Sequence, residues 1–261
     1  MKKRNSEKRQ IIALGGGGFS EDPRNAALDL YILQQVPNKK PKVCFLPTAS
    51  AESEKYINRF YRAFNRYNVK PSHLSLFKPS TNDLRDFIFE KDVIYVGGGN
   101  TKNMLLLWRA WGVDSLLKEA YDRGVVLAGI SAGAICWFEQ GLTDSIPGAL
   151  TRLDCLGLLT GSFCPHFDRE PERQPVYRKL ILAEQMLSGF AVDNDVALHF
   201  VNGRLYAAIK SRESAQACRI EKKRGHLIES KLHPKLLPRR DRASLKAGKV
   251  VRNRSNPRAS A

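Results

Sequence analysis

The chain has 261 residues, 43% of them apolar, which is enough for one large α/β domain or two small ones. Its apolar runs fall short of the roughly 18 residues that cross a bilayer. The basic opening MKKRNSEKRQ runs through only Ile11–Leu14 before four glycines, a pattern unlike an export signal. The net charge of +17 is concentrated at the ends: residues 1–10 carry five Lys/Arg and one Glu, and residues 231–261 carry ten Lys/Arg and one Asp.

This distribution divides the chain into a basic N-terminal tail (1–10), a folded body (11–230) and a basic, disordered C-terminal tail (231–261). Such tails attract polyanions. The C-terminal one lacks the aromatic interleaving on which bases stack, so nucleic acid is not the favoured partner, and no membrane partner is indicated. The five cysteines (Cys44, Cys136, Cys155, Cys164, Cys218) are odd in number and without C-x-x-C spacing. That pattern predicts reduced thiols in a cytoplasmic protein, with neither a disulfide framework nor a metal site, and no cofactor is expected.

In chain order, Ile11–Leu14 reads as a buried strand ending in the glycine loop Gly15–Gly18. The dinucleotide fingerprint G-x-G-x-x-G is absent, because Ser20 or Glu21 stands at the third glycine position. The expectation is that these glycines let the loop pass close under a substrate. Residues 22–36 predict a helix, 42–47 a strand with the loop Pro47–Ser50 after it, and 52–67 a helix with Tyr56, Ile57, Phe60, Tyr61 and Phe64 on its apolar face. A strand near His73–Phe77 and a short helix over 82–90 follow. Residues 92–96 predict another strand, which runs into Gly97-Gly98-Gly99-Asn100-Thr101 and a helix over 102–120. Backbone N–H groups at a glycine-rich strand-to-helix turn point above the sheet edge, where they can stabilise a developing oxyanion.

Residues 124–140, GVVLAGISAGAICWFEQ, read as buried strand, G-x-S-x-G turn and helix, the pattern of a nucleophile elbow carrying Ser131. Beyond it, 142–159 reads as irregular chain with short strands, 176–188 as a helix, and 200–209 as a hairpin turning at Asn202-Gly203. Residues 211–230 are not assigned. Alternating strands and helices over 11–138 predict an α/β fold with a mainly parallel, doubly wound sheet. Gly15–Gly18, Pro47–Ser50, Gly97–Thr101 and Ser131 then share one rim at the carboxyl ends of the strands.

A serine nucleophile needs a base. His73 and His199 fall within or beside predicted strands, and His226 and His233 lie in charged sequence near the C-terminus. His166, in irregular chain behind Pro165, is the best candidate.

The combination of Gly97-Gly98-Gly99-Asn100-Thr101, Gly129-Ile130-Ser131-Ala132-Gly133-Ala134 and Cys164-Pro165-His166-Phe167 resembles the peptidase E family of serine peptidases, which includes aspartyl dipeptidases and, more distantly, cyanophycinases. The resemblance covers about residues 11–210. It implies a flavodoxin-like fold related to class I glutamine amidotransferases, with Ser131 as nucleophile and His166 as base. It further implies an oxyanion site from Gly98, Gly99 and Ala132, and a short peptide substrate with N-terminal aspartate. By local pattern Arg173 matches the family's carboxylate-binding arginine, with Arg169 and Arg178 as alternatives. Where the family has an acid to orient the histidine, this chain aligns Asn194. Asp193, Asp195 or the upstream Asp144 could take that role instead. A serine triad without a correctly placed acid loses about ten-thousand-fold in turnover through the wrong imidazole tautomer. Two alternatives therefore remain at this stage: a catalytically impaired binding protein of the same fold, and a cyanophycinase-like β-aspartyl peptide hydrolase.

Overall fold

The computed structural model describes residues 8–79 and 81–239. The first strand, β1 (Gln10–Leu14), is followed by the short helix α1 (Gly18–Glu21), α2 (Ala27–Leu33) and β2 (Lys42–Leu46). Next come α3 (Glu54–Phe64), β3 (Lys70–His73), α4 (Leu84–Phe89) and β4 (Val93–Val96). Helices α5 (Thr101–Trp111) and α6 (Val113–Asp122) lead to β5 (Val126–Ile130) and α7 (Ala132–Ile135). The second half holds β6 (Phe138–Thr143), β7 (Thr151–Asp154), β8 (Leu159–Cys164), α8 (Arg173–Leu182) and β9 (Gly189–Val192). It ends with β10 (Val196–Val201), β11 (Arg204–Lys210), β12 (Ala217–Lys223), β13 (His226–Lys231) and β14 (Lys235–Leu236).

Eight strands form the main sheet in the order β14-β11-β10-β1-β5-β4-β2-β3. The five from β1 to β3 in that order pair in parallel, and β10 closes onto β1 antiparallel. This is the flavodoxin-like order 2-1-3-4-5 with β1 in the place of the last strand. Why the central strands read as unbroken apolar runs is plain from their burial. Ile11 and Ala13 of β1, Leu127 of β5, and Ile94 and Val96 of β4 enter one core. Their alternates Ile12, Leu14, Val126, Ala128, Val93 and Tyr95 enter another on the opposite face. Both faces are dry, so period-two alternation is hidden.

The second face is covered by α1, α2 and α3, where Phe19 meets Phe45, Phe60, Phe64 and Tyr95 at ring-centroid distances of 5.2–5.7 Å. The first is covered by α5, α6 and a six-stranded second sheet of order β13-β12-β9-β8-β6-β7. Phe138 of β6 stacks on Phe163 of β8 at 4.9 Å and meets Phe200 of β10 at 5.6 Å, which ties the two sheets together.

Several expected boundaries shift. The single helix expected over 102–120 is two helices broken at Gly112, whose φ of +68° is left-handed. The helix expected to continue through Phe138 stops at Ile135, and Phe138 opens a strand instead. The expected irregular stretch and the unassigned residues 211–230 supply strands of the second sheet. Ordered chain continues past residue 230, with Lys235 and Leu236 paired to Ile209 and Lys210. Residues 1–7 and 240–261, which include most of the two expected tails, lie outside the described residues. Among the described residues no helix is long and apolar enough to cross a membrane.

Candidate active site

Ser131 sits alone between the end of β5 and the start of α7, with φ 54° and ψ −115°. A side chain rarely adopts that conformation, so the surroundings must hold it. They do so through glycine. A Cβ on Gly129 would lie 2.0 Å from the Gly133 carbonyl oxygen, and a Cβ on Gly133 would lie 2.3 Å from that of Val96. The two glycines of G-x-S-x-G are thus fixed by contact with each other and with the end of β4. Ser131 N–H donates to the Leu14 carbonyl at 3.1 Å, and its own carbonyl accepts from Ala134 and Ile135 at 2.8 and 2.9 Å.

His166 follows β8 and also has positive φ, 53°. Its N–H donates to the Gly15 carbonyl at 3.0 Å. Ser131 and His166, 35 residues apart in sequence, are therefore pinned to consecutive carbonyls at the carboxyl end of β1. His73 and His199 have partners elsewhere. His73 Nδ1 lies 2.8 Å from the Tyr61 hydroxyl. Buried His199 lies between the Tyr31 hydroxyl and Gln10, and burial pulls its pKa down to about 4.

Of the four candidates for orienting His166, Asn194 is the one at the ring: its Oδ1 is 2.7 Å from Nδ1. Asp193 turns away to accept from Gln216 N–H at 2.8 Å, and burial pushes its pKa up to about 6. Asp195 accepts from Arg212 Nε at 3.0 Å. Asp144 is exposed and has Arg173 Nη2 at 3.8 Å. Behind Asn194 stands Glu21, which no local sequence pattern marks as part of the site. Asn194 Nδ2 donates to Glu21 Oε2 at 2.6 Å, and the same oxygen accepts from Gly17 N–H at 3.0 Å.

The glycines of the loop after β1 are expected from the sequence to let it pass close under a substrate. In the structure they admit the 193–195 turn. A Cβ on Gly15 would lie 2.4 Å from the Asp193 carbonyl oxygen, and one on Gly16 would lie 2.4 Å from Asn194 Oδ1.

Gly98 faces the serine: a Cβ there would lie 3.4 Å from Ser131 Cβ and 3.9 Å from Oγ. Its N–H donates to the Tyr56 hydroxyl at 3.3 Å, a long bond, and Ser20 Oγ donates to the same hydroxyl at 2.7 Å. Tyr56, read from sequence as part of an apolar helix face, thus reaches the rim; only a tertiary contact could have singled it out. Gly99, at φ 135°, packs on the turn after β2, where a Cβ would lie 2.2 Å from the Ala49 carbonyl oxygen. Ala132 opens α7, and a first-turn N–H has no acceptor within its own helix. Asn100 caps α5 by accepting from Asn103 N–H at 2.9 Å.

Arg173, expected to bind a substrate carboxylate, opens α8 and is 2% exposed. Its Nε donates to Glu170 at 2.5 Å and its Nη1 to the Leu142 carbonyl at 3.1 Å. Arg178 pairs with Glu229, and Arg169 lies 3.8 Å from Asp168. Among the described residues no group of three His, Cys, Asp or Glu converges as a metal site would require.

The doubly wound sheet thus brings a serine and a histidine to the carboxyl end of its first strand, the rim where sheets of this kind carry their sites. Comparison with known proteins gives the family. The chain belongs to peptidase family S51, which matches residues 11–207, and it is a serine peptidase. It is 55% identical over 229 residues to the uncharacterized peptidase YgaJ of Bacillus subtilis (strain 168), spanning 88% of this chain and 99% of that one. It is 30% identical over 140 residues to the uncharacterized peptidase Lmo0363 of Listeria monocytogenes, covering 51% of this chain and 68% of the relative. Among solved structures, a peptidase from an acI-B1 actinobacterium superposes with a TM-score of 0.64 at 18% identity, covering 88% and 96% of the two chains. A peptidase E protein from Listeria monocytogenes EGD-e gives 0.59 at 21% identity, covering 78% and 98%. Both structures are likenesses of fold.

Proposed function

We propose that this chain hydrolyses short peptides, dipeptides with N-terminal aspartate first among them, through an acyl-enzyme on Ser131. The observation that carries the reading is the strained serine at φ 54° whose N–H, like that of His166, is held by a carbonyl at the end of β1, the two carbonyls being consecutive. G-x-S-x-G here acts as a nucleophile elbow. Ser131 Oγ attacks the peptide carbonyl while His166 Nε2 takes its proton. The C–N bond then breaks and the proton passes to the departing amine. Water, deprotonated by the same nitrogen, cleaves the ester and returns the serine. Charge on the tetrahedral oxygen is met by N–H groups of Gly98 or Gly99 and Ala132, with the Tyr56 hydroxyl beside Gly98.

For an aspartyl substrate the guanidinium of Arg173 must exchange one of its present acceptors, Glu170 or Asp144, for the substrate carboxylate. Discrimination between Asp-Leu and Leu-Leu should accordingly grow when Glu170 is replaced by Gln. The first test is hydrolysis of Asp-Leu, Glu-Leu and Leu-Leu by the wild type and Ser131→Ala. Turnover that vanishes in the variant supports the reading; turnover that survives there removes Ser131 as nucleophile. The binding-protein alternative, motivated by Asn194, requires that the wild type hydrolyse none of them and that Ser131 fail to label with a small fluorophosphonate.

A further inference from the structure

We infer that Glu21 is the positioning carboxylate of this site, acting on His166 through the side-chain amide of Asn194. The inference rests on the reading of Ser131 and His166 as nucleophile and base. An asparagine next to a catalytic imidazole is ambiguous by itself, since its oxygen and nitrogen ends are nearly isosteric. With oxygen toward Nδ1, the ring must carry its hydrogen there, which leaves Nε2 free to act as base. With nitrogen toward Nδ1, the hydrogen moves to Nε2 and the base is lost.

Glu21 removes the ambiguity. Its Oε2 already accepts from Gly17 N–H at 3.0 Å, so at 2.6 Å from the Asn194 amide it is met by a donor, the NH2 end. That leaves Oδ1 facing His166 Nδ1 at 2.7 Å and selects the productive tautomer. The negative charge, one amide away, also favours the imidazolium formed during attack. A chain of hydrogen bonds polarised in one direction gives each member more than a lone pair would have.

The surroundings are arranged for this. Glu21 closes the short helix that follows the glycine loop; its side chain keeps an exposed edge, and partial desolvation raises its pKa above the usual carboxylate value, against the Gly17 bond and the nearby His166. Asp195 and Glu170 also face it. Arg212 offsets the acids on the Asn194 side: it pairs with Asp195 and Asp168 and donates to the Asn194 carbonyl, while Asp168 accepts from Asn194 N–H at 2.8 Å. The backbone of residue 194 is thereby held on both sides, and the amide's remaining freedom is its flip, which Glu21 controls.

The test uses the full-length protein, with kcat and KM on whichever dipeptide is turned over, and imidazole nitrogen NMR to read the His166 tautomer. Glu21→Ala should lower kcat about a hundredfold with KM changed less than about threefold, and should mix the two tautomers of His166. Glu21→Ala combined with Asn194→Asp should regain at least about tenfold, because a carboxylate at 194 accepts from Nδ1 whichever oxygen it presents. A role confined to bracing Gly17 predicts no such rescue and an unchanged tautomer, and either result overturns the inference. So does a Glu21→Ala kcat within about threefold of wild type. If Glu21→Ala does not fold, isosteric Glu21→Gln replaces it, with about a tenfold loss and partial tautomer mixing expected and no change overturning. Should the wild type hydrolyse none of the dipeptides, the proposed activity fails on its own, and the tautomer readout still decides the role of Glu21.

Discussion

Gly98 and Gly129, which flank Ser131 in space and in sequence, differ in what a single added carbon would meet. Gly98 has room for a methyl group in ordinary contact with Ser131, at 3.4 Å, and its φ does not demand glycine. In the proposed mechanism the space a methyl would fill beside Ser131 is left to the tetrahedral oxygen. Gly98→Ala should therefore keep its melting temperature within about 2 °C of wild type and lose at least about tenfold in kcat/KM. A loss of stability instead would mean that Gly98 is there for packing. Gly129 is the opposite case. Its hypothetical Cβ meets backbone at 2.0 Å, which no rotamer can relieve, so Gly129→Ala should cost about 3 kcal/mol or more in denaturant unfolding.

At the scale of elements, the legible parts were those whose signal is local. β1, β2, β4 and β5 were readable as apolar runs, and Ser131 and the Gly97–Gly99 turn were singled out by their positions at strand ends, whereas His166 was singled out as the histidine lying in irregular chain behind a proline. What the pattern concealed was where elements break. Gly112 reads as an ordinary residue within a long helical pattern, yet it ends α5 and starts α6 at φ +68°, with open space around it. Gly112→Ala should cost about 1 kcal/mol through backbone strain alone and leave turnover unchanged, measurable by chemical denaturation and dipeptide kinetics side by side. The second sheet was largely unread because its strands include exposed edges. β13 and β7 carry mixed polar sequence that gains its meaning only from neighbours.

For the molecule as a whole, the buried acid Asp29 sets a pH dependence. It is 1% exposed, its Oδ1 has no hydrogen-bond partner, and burial pushes its pKa from 3.8 to about 8. The folded state thus holds a proton that the unfolded chain releases. This contribution is complete below the unfolded value and is lost as pH rises through about 8. Asp29→Asn, which mimics the protonated acid, should flatten the fall in stability between pH 4 and 8 seen in wild-type denaturation curves.

By itself the sequence determined the layered α/β architecture, because strands buried on both faces must be continuously apolar, and it determined the turn at Ser131, because so sharp a strand-to-helix turn admits only glycine on either side. The tertiary structure alone decided which side chain meets His166 and what stands behind it. Asp193, Asn194 and Asp195 are adjacent in sequence, and their division of labour follows from the Gly15–Gly18 loop and Arg212 pressing on opposite sides of one turn. Glu21 and Asn194 lie 173 residues apart, and no local pattern can register a hydrogen bond across that distance.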